Sequence, residues 1–299
     1  DGAGSIRIPA AMCGVVGFRP STGRWPARGV VPISVPSRDT AAPMARSVAD
    51  CALLDAVVCG EDPRLQILSP RGLRLGVPHE FWVDLHAGLA TQLQDALEGL
   101  AAAGVVLVPM AMAVDLAAVG HVALTVAMHE NLPSLRAYFA DHGLPFDIHQ
   151  LAGAIGSPDV RAIFNHLAQG GGPDAAAYAA ALAEVRTRLR PAWAGAIARH
   201  ALDALVLPTT PLPAARIGED EAVQMDDRRW PTFDTYVRHC GPASIVGLPS
   251  VSLPAGCVTE QDDRLPVGLM LDGPQGSDRR LLAIAAALQP LLPPTPEPP

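Results

Sequence analysis

Residues 74–109 read RLGVPHEFWVDLHAGLATQLQDALEGLAAAGVVLVP. A short apolar run at 74–77 is followed by Leu89, Leu93, Leu97 and Leu100 at helical spacing, and then by a second apolar run at 105–108. The spacing predicts strand, helix, strand, with Gly104 as the stop signal just past the helix. A crossover of this length joins parallel strands in a right-handed sense. The stretch therefore sets the fold class as α/β, a parallel sheet covered by helices.

Outward from this unit, residues 204–207 (ALVL), 250–253 (SVSL) and 267–271 (VGLML) are three more short apolar runs bounded by Pro or Gly. A last helix is expected at 277–288, with Ser277 as N-cap and Asp278 in its first turn. Residues 115–200 hold most of the histidines and long Ala-rich stretches, and read as a helical section lying over the sheet. Nothing repeats at a period of roughly 20–50 residues, which excludes a solenoid or propeller. One domain over 1–290 is expected, with a disordered Pro-rich tail at 291–299.

Composition narrows the function class. A hydrophobic fraction of 49% in 299 residues supplies a substantial core. With 17% charged residues and a formal net charge of -8, a nucleic-acid or anionic-membrane surface is not expected. A small, roughly neutral substrate fits better. All 22 cationic positions are Arg and none is Lys, so no lysine chemistry is available within these residues. Cys13, Cys51, Cys59, Cys240 and Cys257 form no CxxC pair and read as small buried residues of a reducing compartment. The absence of a leader or a bilayer-length apolar run makes a cytoplasmic protein the expectation.

The candidate chemistry lies at residues 1–20, DGAGSIRIPAAMCGVVGFRP. Gly2, Ala3 and Gly4 precede Ser5, and small residues let consecutive backbone N–H groups converge on one point. Such a nest beside a hydroxyl suits acyl transfer, where negative charge develops on the attacked carbonyl oxygen. Spacing alone does not separate this from a Gly-rich turn carrying an incidental serine. The GxSxG signature is absent, because Ile6 and Arg7 follow Ser5. His129 and Glu130 begin like HExxH, but Pro133 takes the second histidine's place and is expected to break the helix, so no metal site is read.

Residues 1–20 resemble the second half of the amidase signature, with Asp1, Gly4, Ser5, Ile6, Arg7, Pro9, Cys13, Gly14, Gly17 and Pro20 in register. The resemblance continues through Pro43, Met44, Arg46, Val48 and Asp50, through 204–211 (ALVLPTTP), and through 247–256 (GLPSVSLPAG) and 265–269 (LPVGL). Within the family, residues 232–256 most resemble enzymes that cleave aryl-acetamide-type substrates, such as mandelamide and indoleacetamide hydrolases.

The resemblance implies an amidase-signature fold, a mixed and largely parallel sheet covered by helices on both faces, with residues 1–62 closing the signature core and the strands and helices that precede it in the family lying outside these residues. It implies a Ser, cis-Ser, Lys triad with Ser5 as nucleophile and no cofactor. The backbone groups of Gly2, Ala3, Gly4 and Ser5 would bind the oxyanion, and Ala3, standing where Gly is more common, requires a negative φ. The relay serine and the lysine precede the nucleophile in the family, so the chain as given is expected to be inactive. The expected partners are a small-molecule amide and, for the intact parent, a second copy in a homodimer. A non-catalytic remnant or scaffold, and an amidotransferase A-type subunit, are the alternatives. Arg7 is expected to pair with Asp1 beside the site, and Arg46 with Asp50 as an intrahelical pair. Cys240 is read as a packing residue.

Overall fold

A computed structural model describes residues 1–35, 37–225 and 227–294. The chain opens with a short helix, α1 (Arg7–Met12), and two strands, β1 (Val16–Arg19) and β2 (Met44–Ala45), followed by α2 (Val48–Cys59). The unit read at 74–109 then forms as β3 (Arg74–Pro78), α3 (Ala87–Ala102) and β4 (Val106–Met110), with β3 and β4 parallel and Leu75 opposite Leu107. Leu89, Leu93 and Leu100 are fully buried beneath α3. Gly104, at φ 94°, makes the left-handed turn that ends the crossover.

Helices α4 (Leu116–Asp141), α5 (Ile148–Ala154), α6 (Pro158–Ala168), α7 (Ala175–Glu184) and α8 (Arg190–Arg199) follow, the last two joined through a π turn at Val185–Leu189. After β5 (Ala204–Pro208) come a two-stranded hairpin, β6 (Ala222–Met225) and β7 (Arg228–Pro231), and helices α9 (Thr232–Val237) and α10 (Cys240–Val246). A long hairpin, β8 (Ser250–Glu260) and β9 (Asp263–Asp272), and helix α11 (Asp278–Leu288) complete the described chain.

The main sheet has the order β2-β1-β8-β9-β5-β3-β4. Its β5, β3 and β4 side is parallel, and the remaining neighbours pair antiparallel. Followed across these pairings, β2, β8, β5, β3 and β4 run one way and β1 and β9 the other. Alternate residues of β5 feed opposite layers: Ala204 and Val206 join the cluster under α2, α3 and α11, whereas Leu205 and Leu207 join the cluster under α4, α8 and α10. A strand apolar on both faces requires helices on both, and the fold supplies them.

Several local expectations change. Hairpin β8–β9 extends well past its two apolar runs, pairing out to Glu260 opposite Asp263. Its outer half carries exposed Thr259, Asp263 and Arg264 and projects beyond the core, so it lacks the apolar signal that marks the inner half. Pro133 does not break α4. It removes one helical N–H, at a cost of about 3 kcal/mol, but buried Val126, Glu130 and Leu135 hold the helix on both sides of it, and Ser134 Oγ donates to Val35 O at 3.0 Å. Asp50 accepts from Ser47 Oγ at 2.7 Å in place of the expected Arg46 pair, because α2 begins at Val48 with Ser47 as its cap and leaves Arg46 outside the helix.

Ser277 does not cap α11, since its hydroxyl donates to Pro274 O at 2.7 Å. Asp278 instead receives the N–H and hydroxyl of Ser21 at 2.7 and 2.6 Å. Leu291 and Leu292, placed in the tail by composition, pack against the core with Leu292 buried, and residues 295–299 lie outside the described residues. Cys51 and Cys240 are buried as expected, Cys59 and Cys257 are half-buried, and Cys13 is exposed because it ends α1 on the outer surface.

Candidate active site

Ser5 is exposed in the turn that leads into α1. Ile8 N–H donates to Gly4 O at 2.8 Å and Ala10 N–H to Ile6 O at 3.0 Å, so helical bonding starts one residue before the serine. Gly4 has φ 128°, and a Cβ there would lie 2.5 Å from Ile8 Cδ1 and 2.8 Å from Cys240 Cβ. Only glycine fits. Ala3 is not among the non-glycine residues with positive φ, which meets the condition the sequence set for it.

The turn is shaped by the Asp1 carboxylate. It accepts from the N–H groups of Gly4, Ile6 and Arg7 at 2.8, 3.3 and 3.4 Å, and from Arg7 Nε and Nη2 at 3.1 and 3.0 Å. Arg7 is fully buried and continues to Ser244 Oγ at 2.7 Å, Cys240 O at 3.1 Å and Ser250 Oγ at 3.4 Å. Ser250 Oγ in turn donates to Asp272 Oδ1 at 2.6 Å. Arg7 thus pairs with Asp1 and ties the turn to α10 and β8 beneath it.

Of the four backbone donors read from the sequence, Gly4 has its N–H on Asp1 Oδ1 at 2.8 Å. The N–H groups of Gly2, Ala3 and Ser5 make no hydrogen bond to protein among the described residues. The Gly2 carbonyl accepts from Arg38 Nε at 2.9 Å, and a Cβ on Gly2 would meet Asp39 Oδ1 at 2.7 Å.

Burial dominates the electrostatics beneath the turn. Arg19 is pushed down to about 9, first by burial and then by the neighbouring Arg7. Burial pushes Asp272 up against the opposing pull of Arg7, and it pushes the Cys240 thiol up to about 11. That thiol stays protonated at neutral pH and is no nucleophile. Cys240 packs with its sulfur 3.5 Å from Thr209 O, the small-residue role read from sequence.

Two histidines, His239 and His129, lie in buried or partly buried surroundings. His239, one residue before Cys240, is wholly buried with Nδ1 against Pro208 O at 2.9 Å, and burial followed by Arg238 pushes it down to about 3. A group with so low a pKa takes no proton at neutral pH. His129 stacks on Tyr178 and meets Pro173 O at 3.0 Å, while Glu130 collects the hydroxyls of Ser34, Ser37 and Tyr178. Among the described residues, no group of His, Cys, Asp and Glu is arranged to hold a metal.

Sequence reasoning missed Arg19, Arg38, Asp39, Ser244, Ser250 and Asp272. Ser244 and Ser250 flank the Gly-Leu-Pro stretch of the resemblance, so their nearness to it was the available signal. Arg38 sits in a loop with neither periodicity nor a motif of its own.

Comparison with known proteins places this geometry. Residues 1–282 match the family described as Amidase. The chain is 39% identical over 297 residues to an indoleacetamide hydrolase of Agrobacterium vitis, covering 97% of this chain and 61% of that protein. It is 37% identical over 306 residues to a mandelamide hydrolase of Pseudomonas putida, covering 98% and 57%. An amidase crystal structure superposes with a TM-score of 0.81 at 30% identity, covering 98% of this chain and 62% of that one. The native peptide amidase of Stenotrophomonas maltophilia superposes at 0.73 with 27% identity, covering 97% and 61%. The chain therefore spans about three-fifths of the length of the relatives it matches. With nearly all of its residues matched, and with the Asp1–Arg7 turn formed around an exposed Ser5, the chain belongs to the amidase family.

Proposed function

We propose that Ser5 is the nucleophile of a carboxylic-amide hydrolase. The observation that carries this reading is the exposed Ser5 hydroxyl at the end of a turn whose Gly2, Ala3 and Ser5 N–H groups are free of protein partners. Ser5 Oγ attacks the amide carbonyl, and these backbone donors receive the oxygen as it becomes negative. The C–N bond then breaks, the nitrogen takes a proton and leaves as ammonia, and water releases the acid from the acyl-serine. Asp1 and Arg7 hold the turn and do not touch the reacting atoms.

The relay serine and the lysine implied by the family resemblance are the groups that move the proton, and these residues contain no Lys. The activity is accordingly assigned to the full-length protein and not to the 299 residues alone. Aryl-acetamide-type amides are the proposed substrates, a choice supported by the indoleacetamide and mandelamide hydrolases among the relatives. The test is ammonia release from phenylacetamide by the full-length protein. Turnover that disappears in Ser5→Ala supports the reading, and turnover that persists in Ser5→Ala overturns it.

A further inference from the structure

We propose that Arg38 is a positioning residue for the oxyanion turn: by taking the Gly2 carbonyl, its guanidinium aims and strengthens the N–H of Ala3. The inference rests on the reading of Ser5 as nucleophile and adds to it a residue that lies outside the signature segment.

The geometry begins with one peptide unit. The Gly2 carbonyl and the Ala3 N–H are two ends of the same planar group, and in the trans form they point in opposite directions. Arg38 Nε draws the carbonyl oxygen to one side at 2.9 Å. The Ala3 N–H is thereby turned to the other side, where it has no protein partner among the described residues. The bond is also charge-assisted. A cation on the carbonyl end polarises the amide and makes its N–H a better donor, the same cooperativity that strengthens hydrogen-bonded chains in a low-dielectric interior.

Arg38 is itself held on every side. Its side chain is buried and its Nη1 donates to Ala123 O in α4. Its backbone N–H donates to Ser34 O at 3.2 Å, and its carbonyl accepts from Arg19 Nη2 at 2.9 Å. The loop around it is pinned to α4 a second time, by Ser34 Oγ on Glu130 Oε2 at 2.7 Å and by Asn131 Nδ2 on Ile33 O at 3.1 Å. Asp39 Oδ1 closes over the Cα of Gly2 and leaves no room for a side chain there. The helical section thus fixes the loop, the loop fixes Arg38, and Arg38 fixes the peptide that presents Ala3. A peptide so supported needs little reorganisation when charge develops, which is the source of oxyanion stabilisation.

The test uses the full-length protein with Arg38→Met and Arg38→Lys. Loss of a whole oxyanion donor costs about 10²–10³ in kcat, and misaiming one costs less, so Arg38→Met is expected to lower kcat by about tenfold to a hundredfold with KM changed less than about twofold. Arg38→Lys, which keeps a cation and a donor, is expected to recover part of that loss. The second readout is the Ala3 amide proton by NMR. It should move upfield in Arg38→Met while amides of β3 and β4 stay in place, and remain near its wild-type position in Arg38→Lys. An unmoved Ala3 amide in Arg38→Met overturns the inference whatever the turnover, as does unchanged kcat in a variant of an active enzyme. Failure of the wild-type protein to turn over any amide would overturn the reading of Ser5 and leave the Ala3 shift to judge Arg38.

Discussion

Arg7 and Asp1 form an ion pair with no solvent contact on either side chain, Nη2 lying 3.0 Å from Oδ1 beneath the turn that carries Ser5. Removing Arg7 would leave the buried Asp1 carboxylate with its backbone donors and, as cation, the more distant Arg19 Nε at 3.7 Å. Breaking buried pairs by removing one partner costs about 3–5 kcal/mol. Arg7→Met in the full-length protein should therefore lower the free energy of unfolding by about that amount in urea titrations. A loss below about 1 kcal/mol would mean that the Asp1 carboxylate finds other compensation.

His239 sets a pH dependence. Its ordinary pKa of 6.5 falls to about 3 in the fold, so between these values the unfolded chain binds a proton that the folded chain refuses. Stability contributed by the neutral imidazole is complete above about 6.5 and is lost as pH falls toward 3. The limiting slope is about 1.4 kcal/mol per pH unit. Unfolding midpoints measured from pH 7 down to pH 5 should fall in the wild type and fall less steeply in His239→Asn. Identical slopes would show that other groups govern the acid limb.

Leu53, Leu54, Val57 and Val58 are 49%, 44%, 71% and 41% exposed along α2, with Met44 of edge strand β2 also exposed. An apolar stripe beside an open sheet edge promotes association. The isolated 299-residue chain should sediment as a concentration-dependent mixture of oligomers, and Leu54→Glu with Val57→Lys should shift it toward monomer. A monodisperse wild-type monomer would show that this face needs no cover.

The same isolated chain should release no ammonia from aryl amides above background. A serine without its base is a poor nucleophile at neutral pH, and the chain has no lysine to serve as one. Steady turnover by the purified chain that vanishes on Ser5→Ala would contradict this.

What could be read from sequence follows a physical division. The β3–α3–β4 unit was legible because Leu89, Leu93, Leu97 and Leu100 bury at helical spacing, and local periodicity records burial directly. The pairing of Asp1 with Arg7 was legible because both lie in one short motif. The outer half of β8–β9 was not, since polar residues such as Thr259 and Arg264 leave no burial pattern, and Pro133 misled because its helix is held by contacts distant in sequence. Arg38 was invisible for the same reason: its partners Gly2 and Ala123 are 36 and 85 residues away. The commitment of the Gly4 N–H to Asp1 likewise depends on which way one peptide faces, a property that residue type does not carry.

The assignment of Ser5 is tested most directly by treating the full-length protein with a fluorophosphonate probe and mapping the labelled peptide. Ser5 combines the family register with the run of backbone donors at Gly2 and Ala3, whereas Ser21 and Ser34 are buried and bound to Asp278 and Glu130. The account predicts a single label on the serine of the GSIR peptide, abolished in Ser5→Ala. A label on any other serine would contradict the assignment of the nucleophile and the mechanism built on it.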